Sequence, residues 1–271
     1  MPRLAANLTM LFNEVPFLDR FAAAANAGFK GVEYLFPYDH DKHAIKQQLD
    51  QHGLTQVLHN LPAGNWAAGE RGIACHPNRH AEFEAGVEKA ISYATTLGCS
   101  RVNCLAGITP EGVDETTARD AFVHNLRYAA PRLFAAGIKL LIEPINTRDI
   151  PGFFLSRTRQ ALEIINVVGS PNVYLQYDIY HMQVMEGDLA KTIERHLPKI
   201  GHMQLADPPG RNEPGTGEIN YPFLLTLIDR LGYSGWIGCE YKPAGRTEDG
   251  LGWARASLES VGAKLPLQPS E

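Results

Sequence analysis

The sequence has few cysteines and no long apolar runs, and each shortage excludes a class of protein. Only four of its 271 residues are cysteine, and no two form a Cys-x-x-Cys pair, which predicts free thiols rather than a disulfide framework or a zinc ribbon. No apolar run approaches the length of a membrane span. Asn7 and Thr9 interrupt the apolar N-terminal segment, so we expect no secretory signal there. These features favour a cytoplasmic protein with no membrane partner.

Positive charge and glycine-rich motifs are also scarce. The 25 Lys and Arg residues are outnumbered by 30 Asp and Glu, for a net charge of −5, so we expect no nucleic-acid partner. An anionic small molecule remains compatible with this charge, because a few local cations can reverse the field in a pocket. The fingerprint of a dinucleotide-binding fold is missing after the first predicted strand, where Asn7-Leu-Thr-Met-Leu-Phe12 stands instead.

What the sequence does contain is a repeated pattern in which a short apolar segment ends in an oxygen-bearing side chain. Leu140-Leu-Ile142 runs into Glu143 and then into a proline, which is typical of a buried parallel strand bounded by a breaker. Asp178, Gln204 and Glu240 end three later segments of the same kind. Successive segments lie roughly 30 residues apart, the length of one strand-plus-helix unit.

Eight such alternations of strand and helix can be followed along the chain without a linker or a shift in composition. They predict a single-domain α/β protein, a closed (β/α)₈ barrel over residues 1–260, with a flexible tail at 261–271. An open doubly wound sheet is the alternative. The predicted strands span residues 3–8, 31–36, 54–60, 101–106, 139–143, 172–178, 199–204 and 235–240. The predicted helices span about 16–27, 40–51, 79–97, 115–135, 157–168, 188–196 and 221–231.

A long segment without periodicity, residues 61–78, follows the third predicted strand. Loops of this length in a compact domain are usually functional, and this one is expected on the catalytic side of the barrel. Arg71 within it and Arg211 after strand seven are candidate partners for an anion. His181 follows Asp178 in the loop after strand six, and Lys242 follows Glu240. Each of these could instead be a solvated or capping side chain.

The four residues at the strand ends are hard oxygen donors, which suit Mg²⁺ or Mn²⁺ better than a soft-ligand metal. Structural ion pairs at the barrel rim are the alternative interpretation. Glu143 and Glu240 form the natural pair for proton transfer, since strands five and eight would stand across the cation from each other. Which of the two acts more as ligand and which more as base is left open. His202, two residues before Gln204, should point to the same side of its strand.

Several motifs resemble the hydroxypyruvate isomerase family within the xylose-isomerase-like barrels. They are Ala6–Phe12, Phe36–Asp39, His59–Cys75, Leu141–Asn146, Gln176–Gln183, Glu213–Tyr221 and Gly238–Pro243. The resemblance implies an intramolecular oxidoreductase, an aldose–ketose isomerase that interconverts hydroxypyruvate and 2-hydroxy-3-oxopropanoate in glyoxylate metabolism. It implies Glu143 and Glu240 as the proton donor and acceptor pair. A 2-oxo-tetronate isomerase, or another small sugar-acid isomerase or epimerase of the same barrel group, is the alternative.

The resemblance also implies a ligand set for a divalent metal cation, namely Glu143, Asp178, Gln204 and Glu240. Related sugar epimerases commonly carry a histidine where Gln204 stands. The substrate would be a three-carbon sugar acid whose carboxylate needs a cationic or N–H partner, and a homo-oligomer is compatible with such an enzyme. The candidate substrate-binding residues are His59, Arg71, His181, Arg211 and Lys242.

Two other classes of function are alternatives for this sequence. An apurinic endonuclease of the same barrel group would need a histidine-rich zinc cluster and a basic surface facing DNA, whereas this chain is acidic. A non-catalytic barrel that binds sugar acids would not need two opposed glutamates around a cation.

Overall fold

The computed structural model describes residues 2–260, which form a closed barrel of eight parallel strands in chain order. The predicted tail at 261–271 lies outside the described residues. The strands are β1 (Arg3–Asn7), β2 (Gly31–Glu33), β3 (Thr55–Asn60), β4 (Arg101–Cys104), β5 (Lys139–Ile142), β6 (Val173–Asp178), β7 (Ile200–Leu205) and β8 (Trp236–Cys239). Closure is made by β1 and β8, which pair in parallel. The predicted barrel is therefore confirmed, and the open sheet is excluded.

Helices surround the barrel, and most begin and end within one or two residues of the predicted positions. They are α1 (Arg20–Asn26), α2 (Lys42–His52), α3 (His80–Leu97), α4 (Glu115–Ala135), α5 (Thr158–Val168), α6 (Ile179–Met185), α7 (Leu189–His196), α8 (Tyr221–Arg230) and α9 (Arg255–Ser260). None of the helices within residues 2–260 is both long and apolar enough to cross a membrane.

Helix α9 was not predicted, and three other elements differ from the predicted pattern. The first helix was predicted from residue 16, but a 3₁₀ turn at Phe17–Asp19 precedes α1. Strand β2 stops at Glu33 rather than at residue 36, because its register against β3 shifts after Val32. The segment after β6, predicted as a loop, is the short helix α6. The Asp178 carboxylate caps it by accepting from the Tyr180 N–H at 2.8 Å.

Small residues make room for bulky side chains in the lower barrel, near the strand starts. An apolar cluster lies there, formed by Ala5, Val57, Leu58, Leu141 and Trp236 with Tyr174 packed against it. A Cβ on Gly31 would lie 2.8 Å from the Trp236 ring, and one on Gly201 would lie 2.6 Å from Leu141. The lower interior is thus filled by side chains and closed, which leaves the opposite end for a site.

Strand alternation turns this interior polar within two residues. Side chains two apart on a strand share a face, so Leu141 is followed on the inside by Glu143, and Ala5 by Asn7. In β8, Trp236 is followed by Gly238 and then by Glu240, just beyond the strand. The strand ends therefore bring polar groups together directly above an apolar floor.

Candidate functional site

A small cavity opens at the carboxyl ends of the strands, where active sites of such barrels lie. Its volume is about 100 Å³. The polar side chains in its wall are those of Asn60, Glu143, His181, Arg211 and Glu240, and the wall also includes Trp66 from the long loop. Glu143 and Glu240 come from segments that follow β5 and β8, so the barrel closes two distant parts of the chain around one space.

Glu143 is the first residue after β5 and is only 4% exposed. The Asn103 side chain donates to its Oε2 at 2.8 Å. Burial raises the pKa of the Glu143 carboxyl well above its ordinary value, and the nearby Glu240 and Asp178 carboxylates raise it further. Without a compensating cation, Glu143 therefore holds a proton more tightly than an ordinary glutamate does.

Asp178, the last residue of β6, is fully buried. Its Oδ1 caps α6, whereas its Oδ2 is buried and accepts no hydrogen bond from residues 2–260. Burial raises the pKa of Asp178 to about 6 despite the opposing charge of Arg211. A buried carboxylate oxygen with an unused lone pair is costly unless a cation or a donor meets it.

His181 lies on the first turn of α6, with its Nε2 3.6 Å from Asp178 Oδ2 and 4.0 Å from Glu143 Oε1. One ligand atom from each of these three residues lies within 4.8 Å of the other two. Burial lowers the pKa of the His181 imidazole well below its ordinary value, and the Arg211 charge lowers it further, so the ring is neutral near pH 7.

Asn146 fixes the tautomer of His181. The Asn146 Oδ1 accepts from the Asp149 N–H at 2.7 Å, which orients its amide so that Nδ2 donates to His181 Nδ1 at 2.7 Å. Because Nδ1 is then the acceptor, the ring proton lies on Nε2. His181 therefore presents an N–H to the cavity, which suits a substrate oxygen better than a metal ion.

Gln204 in β7 joins Glu240 to a second carboxylate below it. Its Nε2 donates to Glu240 Oε2 and, at 2.7 Å, to Glu33 Oε1. Its Oε1 accepts from the Gln176 side chain at 2.6 Å. Gln204 is thus beside Glu240 as predicted, but its oxygen is directed at Gln176. For that oxygen to bind a cation in the cavity, the side-chain amide must rotate by about half a turn, which exchanges the positions of its oxygen and nitrogen.

Glu33 was missed by the sequence analysis, although it is fully buried at the end of β2. It accepts from Asn7 Nδ2 at 3.0 Å and interacts through Oε2 with His202 Nε2 at 2.7 Å. His202 thus shares the face of Gln204, as predicted. A Cβ on Gly238 would lie 2.2 Å from Glu33 Oε1. The sequence does carry one sign of Glu33, since it is an acidic residue inside an otherwise apolar predicted strand.

Glu240 and Arg211 form the charged side of the cavity. Arg211 Nη2 donates to Glu240 Oε1 at 2.7 Å, and its Nη1 lies 3.6 Å from Asp149 Oδ2. Burial raises the pKa of Glu240 to about 8, and Arg211 only partly offsets this. Burial alone would lower the pKa of Arg211, but Glu240, Asp178 and Asp149 raise it above its ordinary value.

Three of the predicted substrate-binding residues lie away from this cavity. Arg71 stacks its guanidinium on the Trp66 ring, 4.2 Å from the centroid. Lys242 has an exposed side chain. His59 is fully buried beside Tyr38, and burial lowers its pKa to about 4.

A one-residue shift in β3 explains the placement of His59. Val57 faces the barrel interior with the apolar cluster, so strict alternation would turn His59 inward as well. The register against β2 shifts at this level, and Asn60 becomes the partner of Asn103, whose side chain donates to it at 3.2 Å. Asn60 therefore lines the cavity, and His59 faces the helices.

The donor set fits a hard divalent cation. The carboxylates of Glu143, Asp178 and Glu240 converge on one buried region, and their pKa values are all raised there. The unmatched Asp178 Oδ2 is the clearest sign, since a cation would satisfy it and offset the repulsion among the carboxylates. Carboxylate and amide oxygens are typical ligands of Mg²⁺ and Mn²⁺.

The fold and the site define an α/β barrel with a carboxylate-lined cavity at its strand ends, and comparison with known proteins gives the family. A family model described as xylose isomerase-like TIM barrel matches residues 21–257. The chain belongs to that family.

Similar proteins extend over nearly the whole chain. Hydroxypyruvate isomerase of Escherichia coli K12 is 56% identical over 93% of this chain and 98% of its own length. A 2-oxo-tetronate isomerase of Cupriavidus necator is 49% identical over 95% and 99%. Among solved structures, a protein described as AP endonuclease, family 2 from Brucella melitensis is 50% identical, with a TM-score of 0.93 over 94% of this chain and 99% of that one.

Proposed function

We propose that the protein is an aldose–ketose isomerase that interconverts hydroxypyruvate and 2-hydroxy-3-oxopropanoate. The observation that carries the proposal is the pair of buried glutamates, Glu143 and Glu240, lining one cavity of about 100 Å³. Ligand sites for drug-sized molecules are several times larger, about 300–1,000 Å³. A space this small suits a three-carbon acid. The 56% identity to a hydroxypyruvate isomerase supports the same substrate.

The reaction moves one hydrogen from C3 to C2 of hydroxypyruvate. One glutamate removes a proton from C3, which leaves an enediolate, and a proton is then added at C2 from the opposite side of the cavity. A second proton passes from the C3 oxygen to the C2 oxygen, so that an aldehyde and a hydroxyl replace the hydroxymethyl group and the ketone. Glu143 and Glu240 are the proposed donor and acceptor, and no external oxidant is needed.

Glu143, Asp178, Gln204 and Glu240 are the proposed ligands of a divalent cation, Mg²⁺ or Mn²⁺. When bound, such a cation supplies Lewis-acid stabilisation of the negative charge that develops on the substrate oxygens. Without a cation, burial raises the pKa of Glu240 to about 8, and a bound cation would lower the pKa of this carboxyl toward the range in which it can both take and return a proton near pH 7.

Arg211 and His181 are the proposed substrate-binding residues. Arg211 lines the cavity, and its Nε is buried without an acceptor among the described residues. A substrate carboxylate would supply that acceptor in a charge-assisted pair. The Nε2–H of His181 faces Glu143 and can donate to a substrate hydroxyl or carbonyl oxygen. His59, Arg71 and Lys242 do not line the cavity and are left out of the proposal.

Proton NMR of hydroxypyruvate in D₂O, with purified protein and Mn²⁺ or Mg²⁺, tests the proposal. The paramagnetic broadening by Mn²⁺ makes Mg²⁺ the better choice for the spectra. We expect the aldehyde product to form with solvent deuterium at C2. The same sample with Glu143→Gln should show no conversion. Absence of aldehyde from the unaltered protein under all metal conditions would overturn the assignment.

A four-carbon 2-oxo-tetronate is the second candidate substrate, because relatives at 49% and 47% identity are 2-oxo-tetronate isomerases. It undergoes the same transfer between adjacent carbons. The ratio of kcat/KM for the two acids decides between them. We expect hydroxypyruvate to be preferred, and a ratio that favours the four-carbon acid would move the assignment to that branch.

The endonuclease alternative receives little support from the site. Among the described residues, the group of histidines and acids close enough to share a metal is Glu143, Asp178 and His181. It contains one histidine, whose proton lies on the nitrogen facing the carboxylates. The cavity is also too small for a nucleotide, and the chain carries a net charge of −5.

A further inference from the structure

A second, larger space adjoins the catalytic cavity. It is a groove of about 550 Å³ that runs along the loop after β3 and the segment after β2. The groove and the catalytic cavity have two wall residues in common, Leu35 and Trp66. Of these, Trp66 contributes the larger side chain, so its indole is the main partition between a space of about 100 Å³ and one more than five times that volume.

Trp66 is held in place from two directions. The Arg71 guanidinium lies over its ring and also donates to the Trp66 carbonyl oxygen at 3.0 Å. The Phe36 ring packs against it with centroids 5.0 Å apart. A cation stacked on an indole and a neighbouring aromatic ring each stabilise the position of the side chain. Arg71 thus supports this ring rather than an anion.

The loop that carries Trp66 is itself anchored. Asn65 caps the 3₁₀ turn at Trp66–Ala68 by accepting from the Ala68 N–H at 3.1 Å. Glu70 accepts from the Asn65 N–H and from the Arg79 side chain. The indole therefore stands on a braced turn, although it is 36% exposed. The position of the ring at the mouth of the site is therefore set by the loop.

We infer that Trp66 is the residue that sets the length of substrate accepted, and this inference rests on the proposed isomerase function. With the indole in place, the cavity ends shortly beyond the reacting carbons, and a three-carbon acid fills it. Without the indole, the cavity and the groove become continuous. The additional carbons of a longer sugar acid can then extend into the groove.

The groove has the chemistry to receive those carbons. Thr9, Tyr38, Asp39 and Asn65 line it with hydroxyl, carboxylate and amide groups. Such groups bind the hydroxyls of a polyhydroxylated chain better than they bind an alkyl chain. The longer substrates admitted are therefore 2-oxo acids that carry hydroxyl groups on the added carbons.

Kinetics of Trp66→Ala and Trp66→Phe test the inference. We expect Trp66→Ala to shift the ratio of kcat/KM for hydroxypyruvate and for a hydroxylated five-carbon 2-oxo acid by about 10-fold or more toward the longer acid, a size typical of pocket-volume discrimination. Trp66→Phe keeps a ring in the partition and should shift the ratio much less. Equal losses on both acids, or an unchanged ratio, would overturn the inference.

Binding measurements separate this inference from the proposed function. Calorimetric titration with glycerate and with a five-carbon aldonate, both unreactive in isomerisation, reports on the partition without turnover. If the unaltered protein isomerises neither hydroxypyruvate nor the five-carbon 2-oxo acid, the proposed function fails. The inference about Trp66 is then decided by whether Trp66→Ala strengthens aldonate binding relative to glycerate. Arg71→Gln, which loosens the ring without removing it, should give an intermediate ratio in both assays.

Discussion

The lower and upper halves of the barrel interior differ in what their side chains need. Near the strand starts, Leu141 and Trp236 belong to one apolar cluster, whose side chains need only close packing and no polar partner. Glu143, two residues after Leu141, and Glu240, four residues after Trp236, are buried carboxylates that require partners. The lower half therefore stabilises the fold, whereas the upper half holds groups whose burial is unfavourable until a cation or substrate arrives.

The largest expected effect that separates the two halves is on catalysis. Glu143→Gln or Glu240→Gln should reduce kcat by roughly 10²–10⁴-fold, since each removes a group that transfers a proton. The same changes replace two carboxyls whose ionisation is unfavourable in this buried site with neutral amides of the same shape, so the free energy of unfolding of metal-free protein should rise or stay unchanged. Activity assays and urea titrations measure the two quantities. A loss of stability together with a modest loss of activity would contradict a catalytic role.

The matched change in the lower half is Leu141→Ala, two residues before Glu143 and facing the same side of the barrel wall. It should lower the free energy of unfolding by about 2–5 kcal/mol, because it leaves a cavity in a packed interior. The value of kcat should change only a few-fold, since the carboxylates above it keep their hydrogen bonds. Urea unfolding followed by circular dichroism gives the first number. A large fall in kcat without loss of stability would show that the halves are not separable.

Glu33 lies between the lower and upper halves of the barrel interior, and a substitution there tests whether the carboxylates act as one network. Glu33→Gln replaces an acceptor of three side chains with an amide that also donates, opposite Gln204 Nε2. We expect Mn²⁺ affinity to fall about 10–100-fold, the usual cost of altering a partner of a metal ligand. Titration calorimetry with Mn²⁺ measures it. Glu115→Gln, at an exposed position in the first turn of α4, serves as the control for the loss of one negative charge.

The sequence predicted the upper half in part, and the reason is that strand ends are local features. An apolar run followed by a carboxylate and a breaker is visible within eight residues, so Glu143, Asp178 and Glu240 could be placed before the structure was known. The barrel followed from the alternation of strands and helices. The helix α6 was missed because Ile179–Met185 is short and its cap, Asp178, was interpreted only as a site residue.

The rest depended on pairing across the barrel, which a single sequence does not display. Glu33 and His202 meet although 169 residues separate them, and neither local sequence shows that the two residues pair. His59 was predicted to bind substrate, but the register shift in β3 turns Asn60 inward in its place. A shift of one residue exchanges the two faces of a strand, so no pattern within β3 alone could decide between these neighbours.

The smallest expected effect is on the pH dependence of stability, and it distinguishes the halves without any substitution. Burial raises the pKa of Glu240 to about 8 in the folded protein, against about 4.3 in the unfolded chain. Between these two pH values folding takes up a proton from solvent, so this contribution to stability is fully present below pH 4.3 and is lost as pH rises through 8. Between pH 6.5 and 8 the free energy of unfolding of metal-free protein should fall, by at most about 1.4 kcal/mol per pH unit for this group.

The window must start at pH 6.5, because buried histidines act in the opposite direction below it. Burial lowers the pKa of His59 to about 4, so its contribution is lost as pH falls from 6.5 to 4. A divalent cation compensates the ionised carboxylates, and its stabilising effect should therefore be greater at pH 8 than at pH 6.5. Thermal unfolding with EDTA or with Mg²⁺ at the two pH values measures this. Leu141→Ala should lower the stability of the metal-free protein at every pH without changing its dependence on pH. Glu240→Gln should make that dependence weaker. If Leu141→Ala weakened the pH dependence and Glu240→Gln did not, the apolar floor rather than the carboxylates would govern the response to pH.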